Sequence, residues 1–297
     1  MDTLYYNKYL KYKTKYYYLK QLLGGGPEKI SLITIRGLAD KLTRKYRIID
    51  NNDSARRILR YNYPKLIDKL NKCRENGGTS TIVAAVLYRD RIIKLPGCNT
   101  LDKFSRGKVS VGVHAEQKSL ISFFGHNIYY SNTLKKWVAL YKRAKYDIIV
   151  IRPKVNSDID STIETGLQMS SARPCTLCLN MLKDIGINKI YYSTGNDDEI
   201  VSENIVDMVS IFSSPEVRGL FFTEYNRRNV QEYYDELIIK NFPKKVKANN
   251  LRNFLLYATE SFYKNYFGEY KVEINDKTNK FIIYNTKNEI LISSEII

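Results

Sequence analysis

With 297 residues, of which 43% are hydrophobic, the chain can form a substantial core, and it contains no apolar run near the roughly 18 residues of a membrane span. Its net charge of +17 is spread over every region, so compositional drift explains it better than a dedicated nucleic-acid surface does. No secretory signal is visible, so we expect a cytoplasmic protein whose four cysteines are too few for a disulfide framework and stay reduced.

The first predicted element is a basic arm. Residues 1–23 repeat Tyr, Leu and Lys at mixed three- and four-residue spacing, which predicts an amphipathic helix, and the glycines at 24–26 end it. A contact with nucleic acid or another partner is one interpretation of this arm, and a solvated or self-packing extension is the favoured one. From residue 30 to 73 the pattern is mostly helical, and Pro64 opens a segment whose apolar spacing is typical of a helix packed on a sheet.

Strands and helices alternate in the middle of the chain, which predicts an α/β fold. The predicted elements are hairpin strands at 81–87 and 91–95, a helix from about residue 114, a strand at 146–152, a helix at 174–185 and a strand at 188–194. Residues 89 and 90 form the hairpin turn. The stretch 125–145, which holds Trp137, is interpreted as an elongated or extra helix, and 153–172 as a polar flap over a pocket.

Beyond about residue 222 the sequence predicts two more helices and a β-meander, and it contains no catalytic constellation. The helices are expected at 229–239 and 248–267. The meander is expected at 270–292, with turns at 276–277 and 287–288.

Two of the four cysteines stand three positions apart. Cys175 and Cys178 follow Pro174 and open an apolar helical pattern, so they form a redox pair, a metal half-site or ordinary core. A thioredoxin-like pair usually encloses small residues or Gly-Pro, whereas Thr-Leu stands here. The metal half-site is favoured because the positive end of a helix lowers the pKa of both thiols. Cys73 and Cys98 lack ligand spacing and are interpreted as core or loop thiols.

A half-site needs a partner, and the chain has two histidines. His126 stands in a polar stretch and is interpreted as a surface or loop residue. His114 opens a helix directly after the hairpin. Two helices that enter the same end of a sheet would bring His114, Cys175 and Cys178 together as three zinc ligands and leave the fourth position to water, which is typical of a catalytic site and not of a closed structural one.

The combination of His-Ala-Glu at 114–116 with Pro-Cys-x-x-Cys at 174–178 resembles the signature of the zinc-dependent nucleoside, nucleotide and nucleobase deaminases, the cytidine/deoxycytidylate deaminase-like superfamily. The similarity covers about residues 64–215, including the strand GINKIYY at 186–192. The resemblance implies a three-layer α/β/α cytidine-deaminase-like sandwich with a mixed sheet. The expected domains are an N-terminal helical arm at 1–26, a deaminase domain at 27–222 and a C-terminal α+β extension at 223–297.

The resemblance also implies a role for each motif residue. His114, Cys175 and Cys178 would hold Zn²⁺, which lowers the pKa of a bound water to about 7. Glu116 would not bind the metal but would carry protons between the water, the ring nitrogen and the leaving amino group. Asn99 would bind the sugar or a phosphate-bearing part of the substrate; a plain turn asparagine is the alternative.

Three classes of function remain open. Hydrolytic deamination of a free cytosine nucleotide or nucleoside is favoured, with a small-molecule substrate and no membrane partner. Editing of a base within DNA or RNA is the second, supported by the basic arm and by tyrosines that can stack on unpaired bases. The third is a zinc-stabilised, non-catalytic interaction protein, against which Glu116 argues because a structural zinc does not need that carboxylate.

The spacing between the motifs limits what the resemblance implies about the substrate. Cys175 lies 61 positions after His114, a long gap for compact members of the family, and the inserted segments can set substrate choice. Histidine as first ligand resembles deoxycytidylate, tRNA-adenosine, guanine and riboflavin-pathway deaminases more than free-cytidine deaminases. Members of the family commonly assemble as dimers or tetramers, so the resemblance implies a homo-oligomer.

Overall fold

The structure is a computed structural model that describes residues 32–48, 52–75, 82–99, 104–105, 108–109, 113–140, 145–154, 169–195, 199–211, 227–260, 270–285 and 287–297. The described helices are α1 (Leu32–Lys45), α2 (Asp53–Glu75), α3 (Ala115–Phe124), α4 (Thr176–Ile185), α5 (Arg227–Asn241) and α6 (Ala248–Glu260). The predicted arm and most of the predicted flap lie outside the described residues. None of the described helices is both long and apolar enough to cross a membrane.

Fifteen strands are described, and they form one large mixed sheet, one smaller sheet and two hairpins. The strands of the large sheet are β1 (Val83–Tyr88), β2 (Arg91–Ile92), β3 (Gly97–Cys98), β8 (Asp147–Pro153), β9 (Met169–Ser170), β10 (Lys189–Ser193) and β11 (Ile200–Asn204). The hairpins are β4 (Phe104–Ser105) with β5 (Lys108–Val109), and β6 (Ile128–Ser131) with β7 (Lys136–Ala139). The smaller sheet contains β12 (Lys245–Val246), β13 (Lys271–Asn275), β14 (Lys280–Tyr284) and β15 (Ile290–Ile296).

The large sheet has the order β11-β10-β8-β1-β2, with β3 also paired to β1 and β9 to β8. Strand β10 runs parallel to β8, and the other pairings are antiparallel, so the sheet is mixed. The predicted α/β class is therefore confirmed. The central strands are continuous apolar runs because helices cover them on both faces.

The two motif helices lie on the same face of this sheet. Because successive side chains of a strand point to opposite faces, Ala84 and Val86 of β1 pack in one core with α3 and α4. Val83 and Ala85 pack in a second core with α2 on the other face. Helices α3 and α4 can therefore present their starting residues to one another.

The predicted turn of the first hairpin is confirmed. Arg89 and Asp90 both have positive φ, 49° and 66°, as a two-residue turn between twisted strands requires. Asn62, buried on α2, donates to the Asp90 carbonyl at 2.8 Å and accepts from the Ile92 N–H at 2.9 Å. These two bonds hold the turn against α2.

The predicted helix start at Pro64 and the predicted helix at 125–145 are wrong. Pro64 does not begin a helix: it lies inside α2, which already begins at Asp53. The described part of the stretch 125–145, residues 125–140 and 145, contains the hairpin of β6 and β7 and no extra helix. An amphipathic helix there would bury Leu140, but this side chain is 64% exposed, while Trp137 packs from the hairpin into the core shared with α4.

Helix α1 packs with the C-terminal elements. Ile35, Ala39 and Leu42 repeat at helical spacing and share one buried core with α5, α6 and the smaller sheet. The sequence prediction grouped this helix with the domain at 27–222, but its described core contacts are largely with residues 227–297. The predicted β-meander is confirmed by the antiparallel strands β13, β14 and β15.

The expectation that all four cysteines are reduced thiols is wrong for one pair. Cys73, near the end of α2, and Cys98, in β3, form a disulfide, with Cα atoms 6.7 Å apart. Sequence spacing could not reveal this pair, because the two residues meet only when α2 packs on the sheet next to β3.

Candidate metal centre

Each of the two motif helices, α3 and α4, is preceded at its N-cap by a residue that can bind a metal. His114 is the N-cap of α3, and Cys175 is the N-cap of α4; both have extended backbone, with ψ of 159° and 168°. Cys178 follows in the first turn of α4. The unpaired N–H groups and the dipole at a helix start favour negative charge, so Cys175, at the N-cap of α4, stands where a thiolate is stabilised.

The three candidate ligands meet in space. Cys178 Sγ lies 3.2 Å from His114 Nδ1, Cys175 Sγ lies 3.5 Å from the same nitrogen, and all three ligand atoms lie within 4.8 Å of one another. Zn–S bonds of about 2.3 Å and Zn–N bonds of about 2.0 Å at tetrahedral angles place sulfur and nitrogen about 3.5 Å apart. The observed separations match this value closely, and this His/Cys/Cys group can hold a metal ion.

Glu116 lies beside these three residues but is not one of the candidate ligands. Its side chain is buried, with 5% of the residue exposed, and its carboxylate lies beside the Cys178 thiol. Burial raises the pKa of the Glu116 carboxyl, although the neighbouring His114 opposes that shift. A buried carboxyl with a raised pKa, next to a group that can hold a cation, is suited to taking up and releasing protons.

The two sulfurs titrate as a pair. A hydrogen bond from the Cys178 thiol is the main cause that lowers the pKa of the Cys175 thiol well below its ordinary value, and His114 adds to it. The same hydrogen bond, together with burial, raises the pKa of Cys178 well above its ordinary value. A cation binds cysteine sulfurs as thiolates, so binding to both Cys175 and Cys178 must release any proton that either sulfur carries.

Asn99 stands at the start of α3. Its Oδ1 accepts a hydrogen bond from the backbone N–H of Ala115 at 2.8 Å, which satisfies one of the N–H groups left unpaired at the helix start. Asn99 is thus held next to His114, and its Nδ2 amide donates to no acceptor among the described residues. Its predicted contact with the substrate stays a prediction.

Sequence reasoning missed Gly97, the residue that brings Asn99 to this place. A Cβ atom at Gly97 would lie 2.5 Å from the backbone nitrogen of Ser119 and 3.0 Å from the carbonyl oxygen of Ala115. Only glycine therefore lets β3 contact the first turn of α3 so closely. The sequence Pro96-Gly97 resembles an ordinary turn, so its signal does not separate a close contact from a loop.

We expect Gly97→Ala to lower the free energy of unfolding by about 1–3 kcal/mol and to weaken metal binding, because β3 must move away from α3. The matched control is Gly37→Ala in α1, where a Cβ atom meets nothing within 4 Å and alanine stabilises a helix by about 0.5–1 kcal/mol. Chemical denaturation of both variants checks the opposite signs. Equal effects of the two substitutions would contradict the close contact.

His126 takes no part in the group. It is exposed in the short 3₁₀ turn Gly125–Asn127 after α3, as its polar surroundings predicted. Among the described residues, the only group of three or more potential metal ligands is the one formed by His114, Cys175 and Cys178.

Comparison of the chain with models of protein families, with curated proteins and with solved structures gave no match.

Proposed function

We propose that this chain is a zinc-dependent hydrolytic deaminase of the cytidine/deoxycytidylate type, acting on a free cytosine nucleotide or nucleoside. The observation that carries the proposal is the meeting of one imidazole and two thiols at tetrahedral separations, with the buried carboxylate of Glu116 against them. The two motifs at 114–116 and 174–178 resemble that family. Helices on both faces of a mixed sheet agree with the three-layer sandwich of these deaminases.

The donor set favours zinc. Two thiolates and one imidazole are the soft and intermediate ligands that zinc takes in proteins, and magnesium or calcium would require oxygen ligands instead. Three protein ligands leave one position open, as in catalytic zinc sites. When bound, zinc would supply Lewis acidity that activates a water molecule at neutral pH.

The other steps belong to the protein. Glu116 takes a proton from the attacking water and delivers it to the ring nitrogen beside the amino-bearing carbon. Glu116 then takes the second proton from the hydroxyl group now on the ring carbon and gives it to the amino group, which leaves as ammonia while the ring carbon keeps the oxygen as a carbonyl. Asn99, fixed at the start of α3 by its bond to Ala115, offers its Nδ2 amide to the sugar or phosphate part of the substrate. Burial keeps bulk water away from Glu116 during these transfers.

Ammonia release by the zinc-loaded chain tests the proposal. The panel contains dCMP, CMP, deoxycytidine, cytidine, guanine, adenosine, single-stranded DNA and tRNA, and bound zinc is measured in the same samples. Turnover of a monomeric cytosine compound with one zinc per chain is expected. Activity confined to the polymers would replace the proposal with base editing, for which the net charge of +17 is the supporting observation. Zinc binding with no turnover on the panel would contradict the proposed activity.

A further inference from the structure

A buried ion pair stands directly before the metal-ligating turn. Arg173, two residues before Cys175, pairs with Glu203 of β11, and both side chains are almost fully buried. The guanidinium also donates to the hydroxyl of Tyr192 and, at 2.9 Å, to the carbonyl of Val209. The two terminal nitrogens of the planar guanidinium therefore donate to Glu203, Tyr192 and Val209, which fixes the orientation of the Arg173 side chain.

The backbone on both sides of Cys175 is held as well. Ser210 donates from its hydroxyl to the Pro174 carbonyl at 3.0 Å, and Thr176 donates from its hydroxyl to the Ser210 carbonyl at 3.2 Å. Tyr257 of α6 donates to the Arg173 carbonyl at 3.5 Å. The residues before and after Cys175 are therefore held by hydrogen bonds to Ser210 and to α6, both outside the motif.

The C-terminal elements complete this network. Asn250, in the first turn of α6, donates from Nδ2 to Oε2 of Glu203 at 2.7 Å. Tyr192 donates to the other carboxylate oxygen, so both oxygens of Glu203 have partners besides Arg173. A chain of side-chain contacts thus runs from α6 through Glu203 and Arg173 to the backbone that carries Cys175.

A buried ion pair contributes little net stability, because desolvation of the two charges offsets their attraction, and apolar residues of similar volume often serve as well. The role of this ion pair is instead to fix the orientation of the Arg173 side chain. We propose that Asn250 is a positioning residue of the metal centre: by orienting Glu203 it orients Arg173, and Arg173 sets the place of Cys175. This inference rests on the proposed function, because it requires that the trio binds a metal.

The test compares two asparagines of the same helix. Asn250 and Asn253 are each 6% exposed, but Asn253 has no hydrogen-bond partner for its Nδ2 among the described residues, and its Oδ1 accepts a hydrogen bond from the neighbouring Arg252 at 3.5 Å. We expect Asn250→Ala to weaken zinc binding about tenfold, as changes behind a metal ligand commonly do. We expect Asn253→Ala to leave zinc affinity within about twofold of wild type.

Zinc affinity is measured on the full chain by competition with a chelator, and cobalt(II) bound in place of zinc reports the ligand geometry through its absorption bands. Melting temperatures are recorded alongside. A changed cobalt spectrum in Asn250→Ala, with the wild-type spectrum in Asn253→Ala, supports the inference. Equal zinc affinities and spectra in the two variants overturn it. Wild type that binds neither metal overturns the proposed function and the inference together.

A second variant keeps the test usable if Asn250→Ala fails to fold. Tyr257→Phe retains the ring and removes only the hydroxyl that donates to the Arg173 carbonyl. We expect the same direction of change in the cobalt spectrum, with zinc affinity lowered about twofold to threefold, below the range for a partner of a metal ligand. An unchanged spectrum and affinity in folded Tyr257→Phe, when Asn250→Ala gives no folded protein, would overturn the inference.

Discussion

Replacing Glu116 by glutamine is expected to lower kcat for ammonia release by about a thousandfold, within the range of 10²–10⁴ that proton transfer by a positioned side chain contributes. Glutamine has the same shape but cannot accept a proton and return it. KM is expected to change little, since Glu116 is assigned no contact that binds the sugar or phosphate. Steady-state kinetics at matched zinc content measure both quantities.

The control separates proton transfer from a change of charge. Glu295→Gln makes the same substitution at the surface, where Glu295 pairs with Lys245 at 3.0 Å, and it is expected to leave kcat unchanged. Zinc content of the Glu116 variant should match wild type, because this carboxylate is not one of the three ligands. If Glu116→Gln kept kcat within about tenfold of wild type, the residue would not carry the protons.

The parts of the fold that could be predicted are those whose signal is local. The strands at the centre of the sheet are apolar runs bounded by turns, and the turn at Arg89 and Asp90 lies between two such runs. The starts of α3 and α4 follow from helical periodicity and, for α4, from Pro174. Because both helices start at the same sheet end, the meeting of His114 with the cysteine pair could be predicted as well.

The parts that could not be predicted depend on contacts between distant residues. The apolar residues of 125–145 fit a helix or a hairpin equally well by spacing alone, and only packing of Trp137 against α4 selects the hairpin. The disulfide of Cys73 with Cys98 depends on how α2 lies on the sheet. Asn250 reaches Glu203 across 47 positions of sequence, so no motif near the cysteines could indicate it.

The sequence alone indicates no role for the extension beyond residue 222, because the contacts that link it to the site join residues distant in sequence. It contains no catalytic constellation of its own. Its contribution is indirect. In the first turn of α6, Asn250 donates a hydrogen bond to the carboxylate of Glu203 in β11, and the same carboxylate forms the ion pair with Arg173 beside the cysteine motif. A segment without reactive side chains can therefore still determine the geometry of a site to which it supplies no ligand.

Replacing Cys178 by serine is expected to weaken zinc binding by more than a hundredfold. Residues behind a metal ligand already cost about 10- to 100-fold when changed, and Cys178 is itself a ligand in the proposed site. A serine hydroxyl stays protonated at neutral pH and is a poorer ligand for zinc than a thiolate.

Zinc per chain, measured after dialysis against a mild chelator, checks this prediction. Wild type should retain one equivalent, and Cys178→Ser almost none. The matched control is Cys73→Ser with reductant present, which removes a cysteine of the disulfide and none of the trio, so it should retain zinc. Ammonia release should fall with zinc in Cys178→Ser. If that variant kept its equivalent of zinc, the metal would be bound elsewhere, and the juxtaposition of His114 with the two thiols would not be the metal centre.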